Sequence, residues 1–281
     1  MQSSNPAFRN DKAFTQGGYA TFDDTDRRRG QAPTRGGSQQ TQDMTPEQLQ
    51  EMYSQPSAGG PQTGRMTYDD VVVRTGVLFG ILVASATATW VLTPPGLGLG
   101  LLLPLMLVGA GLGMWASLSK KVRPGVMVAY SLLMGAVLGA LSQAFESVWD
   151  GIVPAAIMGT LGAFAAMLVA YKTRLIRATE KFTKRLLIAG MGYFVFVLVN
   201  LGISLFTGAS VWTSPFGWLF GLIGVSLASL FLILDFDYIE QGVKNGLPQE
   251  YAWRAAFGLV TTVVWLYIEM LRLLAILRGG E

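Results

Sequence analysis

Seven long apolar runs constrain this chain more than any other feature of its sequence. Each run is close to the ~20 residues that an α-helix needs to cross ~30 Å of hydrocarbon. A transmembrane β-barrel would instead show shorter segments of alternating hydrophobicity, and these are absent. The sequence therefore predicts an all-α membrane protein, a seven-transmembrane-helix bundle. The runs cover residues 71–92, 97–118, 126–145, 152–171, 186–206, 216–234 and 255–277.

Composition agrees with a membrane as the solvent. Of 281 residues, 51% are hydrophobic and only 14% are charged, against roughly 25% charged in an average soluble domain. Residues 1–65 differ, because they mix Gly, Gln, Ser, Thr and Pro with both signs of charge and few aliphatic side chains. Such a segment cannot bury enough apolar surface to offset its ordering entropy. We predict a disordered cytoplasmic tail over 1–65, with a short amphipathic helix over 45–53, and a transmembrane domain over 66–281.

The basic residues predict the orientation of the bundle. Lysine and arginine occur in the tail, in the loop between the second and third runs, and in the loop between the fourth and fifth. The first, third and fifth loops contain none. Because basic residues favour the cytoplasmic side, the N-terminus is expected in the cytoplasm and the C-terminus outside.

The absence of two residue types restricts the catalytic and metal sites that this chain can form. The chain has no Cys and no His, which excludes thiolate nucleophiles, imidazole bases and zinc sites of the His-Glu-x-x-His type. We therefore expect a protein that is not an enzyme, with no cofactor and no nucleic-acid partner. The bilayer is its expected environment, and the sequence leaves the oligomeric state open.

Small residues recur at four-residue spacing inside the runs, a pattern that lets helix backbones approach closely. We expect these pairs to form contacts within one bundle, with dimerisation as the alternative. They are Gly109 with Gly113, Gly135 with Gly139, and Gly217 with Gly221.

Ionisable residues in apolar runs are costly and often mark a pathway or a paired site. Asp235 and Asp237 close the sixth run, and Glu269 lies deep in the seventh, three residues before Arg272. One interpretation is structural: Glu269 and Arg272 form an ion pair along one helix face, and the two aspartates cap a helix end facing the cytoplasm. The other is a carboxylate cluster that shares a proton, binds a cation or carries protons. Hard oxygen ligands suit Ca²⁺ or H⁺.

Helix geometry opposes a contact between the two acids. If the chain turns near residues 245–248, straight antiparallel helices place Asp235 and Glu269 ~15 Å apart in depth at 1.5 Å per residue. Contact would need the seventh helix to begin outside the membrane, or the turn to fold back.

The order of these features resembles the transmembrane Bax inhibitor motif family (Bax inhibitor-1/YccA-like), and more narrowly its bacterial members. The resemblance covers about residues 70–281. It includes Tyr130 to Gly135 in the third run, Val199-Asn200 in the fifth, the acid near the end of the sixth, and the aromatic-Ile-acid pattern at Glu269. Two departures are Glu in place of the usual Asp at 269 and a longer segment between the two acids.

The resemblance implies a pH-sensitive Ca²⁺ leak in a bacterial plasma membrane, gated by an acidic pair on helices 6 and 7. Asp235 and Glu269 would be the proton-sensing pair and the Ca²⁺ ligands, with Asp237 as the alternative partner of Glu269. A basic residue, Lys121 or Arg123, would act as a latch for the acids, and Arg272 is a further candidate. The alternative function is a membrane-embedded regulator that binds another membrane protein, such as a membrane protease.

Overall fold

The computed structural model describes residues 64–92 and 99–279, and within them the protein is a bundle of seven α-helices. The predicted tail up to residue 63 and the predicted helix over 45–53 lie outside the described residues. A single 3₁₀ turn, Val211–Thr213, precedes the sixth helix. The helices are α1 (Tyr68–Leu92), α2 (Leu99–Leu118), α3 (Pro124–Glu146), α4 (Ile152–Lys172), α5 (Glu180–Thr207), α6 (Gly217–Lys244) and α7 (Tyr251–Gly279).

Length and hydropathy make six of these helices candidate membrane spans, all except α2. The 20 residues of α2 include Pro104. At 1.5 Å per residue the whole of α2 is still about 30 Å long. The predicted all-α helical membrane fold is confirmed.

Local sequence explains where the helices begin and end. Thr67 and Asp70 form a reciprocal capping box at the start of α1, because each side chain accepts a hydrogen bond from the other residue's backbone N–H. The Thr179 hydroxyl caps α5 by accepting from the N–H of Phe182. Gly208 ends α5 with a φ of 70°, the left-handed conformation that glycine adopts most readily.

The predicted boundaries with the largest errors are the end of α6 and the start of α5. α6 continues to Lys244, ten residues beyond the predicted end at Leu234, so Asp235 and Asp237 lie inside the helix. Hydropathy loses the signal there because charged residues alternate with buried Phe236, Ile239 and Gly242, which extend the packed face of α6. α5 starts at Glu180, six residues before the prediction, because its first two turns are basic and amphipathic.

α7 is the central helix of the bundle. It packs against α1, α3, α4 and α6, whereas α2 packs on α3, and α5 packs on α6. The face that α7 presents to these neighbours is rich in small side chains, including Ala252, Ala255 and Ala256. Since lipid is as apolar as leucine, close backbone approach supplies much of the attraction between such helices.

The predicted glycine pairs are contacts within the bundle. A Cβ at Gly135 would overlap the carbonyl oxygen of Leu82 on α1, and one at Gly139 would overlap that of Ala86. On α2, Gly109 faces Met134 of α3, and on α6, Gly221 faces Leu273 of α7. The interpretation of these spacings as packing between helices is therefore confirmed.

The segment before α1 is attached to the loop between α6 and α7. The Met66 N–H donates to the Leu247 carbonyl at 2.8 Å, and the Gln249 N–H donates to the Gly64 carbonyl at 2.7 Å. The Met66 side chain is buried against Gly242. We call residues 64–67 the strap; its first two residues belong to the predicted tail, yet they are ordered on this loop.

The α1–α3 contact generates a prediction. Gly135→Ala should destabilise the protein by about 1–3 kcal/mol, because the added methyl group meets backbone that cannot move aside. The matched control is Gly162→Ala on α4, where an added Cβ meets nothing within 4 Å. Thermal denaturation in one detergent, followed by circular dichroism, compares the two variants. Equal melting temperatures would contradict the close approach of α1 and α3.

Candidate functional site

Asp235 lies within the α6–α7 interface, nine residues before the end of α6. A Cβ at Gly258 of α7 would lie 3.3 Å from its Oδ1, and the Thr262 side chain of α7 lies nearby. Its other oxygen, Oδ2, is buried and has no hydrogen-bond partner. Among the ion pairs of residues 64–92 and 99–279, none involves Asp235. A carboxyl group in this position has no cation to balance an ionised form.

Glu269 has the opposite environment. Its side chain is buried, and both of its oxygens accept from Arg272 Nη1 at 2.9 Å. The Tyr193 hydroxyl of α5 donates to Oε2 at 2.9 Å, and the indole N–H of Trp265 donates to Oε1 at 3.2 Å. The predicted ion pair of Glu269 and Arg272 is confirmed. With these four hydrogen bonds, the charge of Glu269 is already balanced and solvated by the protein.

Aromatic rings and one glycine build the pocket around this ion pair. The Arg272 guanidinium lies 4.4 Å from the centre of the Trp212 ring, a cation–π contact from the 3₁₀ turn. On α6, a Cβ at Gly224 would overlap both the Tyr193 hydroxyl and the Glu269 carboxylate. Gly224 therefore opens the path by which a side chain from α5 reaches an acid on α7.

The structure does not bring Asp235 and Glu269 together. Glu269 lies beside Gly224 of α6, and Asp235 follows Gly224 by eleven residues on the same helix. Eleven residues of α-helix span about 16 Å. The same spacing on α7 separates Gly258, beside Asp235, from Glu269. The depth difference that helix geometry predicts is thus present, and the shared-proton pair that the resemblance implies is not formed in this structure.

Asp237 faces a different helix from Asp235. Its carboxylate accepts from Gln241 Nε2 at 2.6 Å, and the Tyr171 hydroxyl of α4 lies 3.5 Å from it. Tyr171 also donates to Glu240, which pairs with Lys244. Asp237 consequently belongs to a polar cluster between α4 and α6, and it is not the partner of Glu269.

The predicted latch residues have other contacts. The Arg123 guanidinium lies 5.0 Å from the Trp115 ring centre. Lys121 is exposed, and within the described part of the chain neither residue forms an ion pair. Arg272 holds Glu269, as described above.

Sequence reasoning missed Arg254, in the first turn of α7. Its Nη2 donates to the Ser119 carbonyl at the end of α2, and its Nε is buried without a hydrogen-bond partner. The sequence contained a signal for Arg254, because this charged residue lies directly before the apolar run that starts at residue 255. Tyr193 and Gly224 had no such signal, because their role depends on how α5 crosses α6.

The arrangement does not form a preassembled calcium site. Ca²⁺ takes six to eight oxygen ligands, and within the described residues no group of three or more Asp, Glu, His or Cys side chains could hold a metal ion. Asp235 and Glu269 lie too far apart to share an ion. Within the described residues, Asp235 is therefore a buried carboxyl group without an ion-pair partner. Glu269 is a separate carboxylate that is paired with Arg272.

The contrast between the two acids generates a stability prediction. Glu269→Gln should cost about 3–5 kcal/mol, because it leaves Arg272 unpaired in a largely buried site. Asp235→Asn should change stability by less than about 1 kcal/mol, because no ion pair is lost. Thermal unfolding of both variants in one detergent measures the difference. Larger destabilisation by Asp235→Asn would contradict the assignment.

Comparisons with known proteins agree with this fold and these landmarks. The family model described as Bax inhibitor 1 like matches residues 5–279, so the match reaches further into the N-terminal segment than the resemblance over 70–281. A search of curated proteins returned no match. Because the family model covers nearly the whole chain, and the helices are long and apolar enough to cross a membrane, the chain belongs to the Bax inhibitor 1-like family of integral membrane proteins.

Proposed function

We propose that this protein is a passive, pH-sensitive leak pathway for Ca²⁺ in a bacterial plasma membrane, with Asp235 as its proton-sensitive group. The observation that carries the proposal is the buried Oδ2 of Asp235, which has no hydrogen-bond partner. Membership of the Bax inhibitor 1-like family supports it. In the proposed orientation the basic loops and the N-terminus face the cytoplasm and the C-terminus faces outside.

The physical argument concerns the charge on Asp235. When protonated, the group is neutral, and its burial costs far less than the burial of a charge. When ionised, it is an uncompensated charge between two helices, which is costly inside a membrane. The ionised state is relieved if α6 and α7 separate enough to admit water or a cation. Loss of the proton therefore favours opening, and the carboxylate then offers a hard oxygen ligand to Ca²⁺.

The Glu269–Arg272 pair has a different role in this proposal. It joins α7 to α5 through Tyr193 and to the 3₁₀ turn through Trp212. These contacts fasten the end of α7 that is remote from Asp235. Movement would then be concentrated at the Asp235 end, where α6 and α7 meet through small residues. We propose Glu269 as an anchor of the gate, and neither as the second proton-sensing acid nor as a calcium ligand.

Calcium flux into liposomes that contain the full chain tests the proposal. We expect greater flux at about pH 8 than at about pH 6, because the higher pH favours loss of the Asp235 proton, and the resulting charge between α6 and α7 favours opening. Asp235→Asn should keep flux low and remove the pH dependence. The matched control is Asp237→Asn, two residues away on the same helix, which should retain it.

Two outcomes would overturn the proposal. One is flux no greater than that of empty liposomes, with the protein shown to be folded. The other is an Asp235→Asn variant that keeps the pH dependence of the natural protein.

A second candidate function is regulation of another membrane protein, and the strap favours it. The N-terminal segment enters the bundle through hydrogen bonds to residues 247 and 249, so a partner that pulls on this segment would act directly on the α6–α7 loop. Photo-crosslinking from tail positions in cells should then capture one membrane protein reproducibly. Replacement of Met66 by Asp should loosen the strap and change that yield, whereas absence of any specific adduct would count against this function.

A further inference from the structure

A groove opens on the side of the bundle between α1 and α4. Its volume is about 390 Å³, and its lining includes Tyr68 and Val72 of α1 and Phe164 and Leu168 of α4. Phe236 of α6 and Leu259 of α7 also line it. α1 and α4 are not among the helix pairs that pack extensively. We call this feature the lateral groove.

The lateral groove occupies one leaflet of the membrane. Along α1 it runs from Tyr68, the first residue of the helix, to Thr75, and along α4 from Phe164 to Tyr171, one residue before the helix ends. Seven residues of helix correspond to about 10 Å. Half of a ~30 Å hydrocarbon core is ~15 Å. The groove therefore begins at the interface that carries the basic loops and reaches about two thirds of the way to the midplane.

The chemistry of the lining indicates an apolar occupant. Almost all of the lining is apolar, and Glu240, its only charged residue, lies at the interfacial end and pairs with Lys244. The rims are open to the surrounding hydrocarbon, since Val72 and Leu168 are 68% and 44% exposed. A peptide segment in this position would leave backbone N–H and C=O groups unsatisfied. A hydrocarbon chain has no such groups.

Basic residues surround the interfacial end of the groove. Lys172 follows Tyr171 directly, and Arg174 is close enough to act electrostatically on Glu240. Arg174 has a φ of 58°, a left-handed backbone that residues other than glycine adopt at a cost. Lys172, Arg174 and Lys244 outnumber the two carboxylates at this end, Asp237 and Glu240, so a net positive charge remains to attract an anion. A phosphate at the membrane surface has the complementary charge.

We infer that the lateral groove binds one acyl chain of a phospholipid from the leaflet facing the basic loops, with the lipid phosphate held at Lys172 and Arg174. The bound chain packs on Phe236 and Leu259, which are the immediate neighbours of Asp235 and Gly258 in sequence. The site thus lies directly behind the α6–α7 contact that holds Asp235.

Site-specific photo-crosslinking of the full chain tests this inference. A photoreactive phenylalanine analogue replaces Leu168 in the groove, or Val72 on the opposite rim. The control position is Leu161, which lies on the same helix, is 53% exposed, and is not part of the lining. The protein is reconstituted in vesicles of phosphatidylglycerol and phosphatidylethanolamine, washed extensively in detergent, irradiated and analysed by mass spectrometry.

Phospholipid adducts at positions 168 and 72 should exceed those at 161 several-fold. Replacing Lys172 and Arg174 with glutamine should remove most of the excess. The matched control replaces Arg177 of the same loop and Lys181 of the first turn of α5, which changes the charge equally and should leave the excess intact. Melting temperatures confirm that each variant is folded.

Three results would overturn the inference. Equal lipid adducts at all three positions would show ordinary contact with bulk lipid. Crosslinks from position 168 to residues 1–63 would identify the chain's own N-terminal segment as the occupant. If the excess of phospholipid adducts persists after Lys172 and Arg174 are replaced, the lipid phosphate is not bound at these two residues.

Discussion

The contact between α6 and α7 is the constraint on which the rest of this structure depends. α7 packs against four other helices, and α6 is among its most extensive partners. Glycines lie at this contact on both helices: Gly221 and Gly224 of α6 face Leu273 and Glu269, and Gly258 of α7 faces Asp235. Their backbones therefore lie close together, and any polar group in the interface is removed from both water and lipid. Asp235 and Glu269 both lie on this interface. Their environments differ because, within the described residues, the neighbouring side chains provide several hydrogen-bond donors and a cation to Glu269 but no ion-pair partner to Asp235.

The residues around Glu269 supply hydrogen-bond donors to its carboxylate. α5 reaches across Gly224 with a tyrosine hydroxyl, and α7 itself contributes Arg272 and Trp265. At Asp235, Thr262 lies nearby, but Oδ2 has no hydrogen-bond partner, and within the described residues no cation forms an ion pair there. Burial of a charge is tolerable when it is paired and hydrogen-bonded, and costly when it is not. Glu269 is consequently paired within the fold, whereas we propose that Asp235 makes the same interface sensitive to its protonation state.

Much of the fold could be predicted from sequence, because hydrocarbon thickness imposes a length on every crossing. The spacing of Gly135 and Gly139 also predicted a close approach of helices within the bundle, and the structure shows that the partner of α3 there is α1. Hydropathy could not find the last ten residues of α6, since Asp235, Asp237 and Glu240 interrupt the apolar run while Phe236 and Ile239 remain packed. Helical spacing offered the ion pair of Glu269 with Arg272 as one of two interpretations, and the structure contains it. The hydrogen bond from Tyr193 could not be predicted, because it depends on the crossing of α5 and α6 at Gly224.

Helix arithmetic placed the two acids apart, whereas the resemblance to the family implied that they meet. Disulfide trapping decides between these arrangements most directly, and the chain has no native cysteine to interfere. A disulfide requires Cα atoms about 4.4–6.8 Å apart. The account predicts oxidative crosslinking of Asp235→Cys with Gly258→Cys or Thr262→Cys, and none of Asp235→Cys with Glu269→Cys. Efficient crosslinking of the 235–269 pair in the folded protein would contradict it.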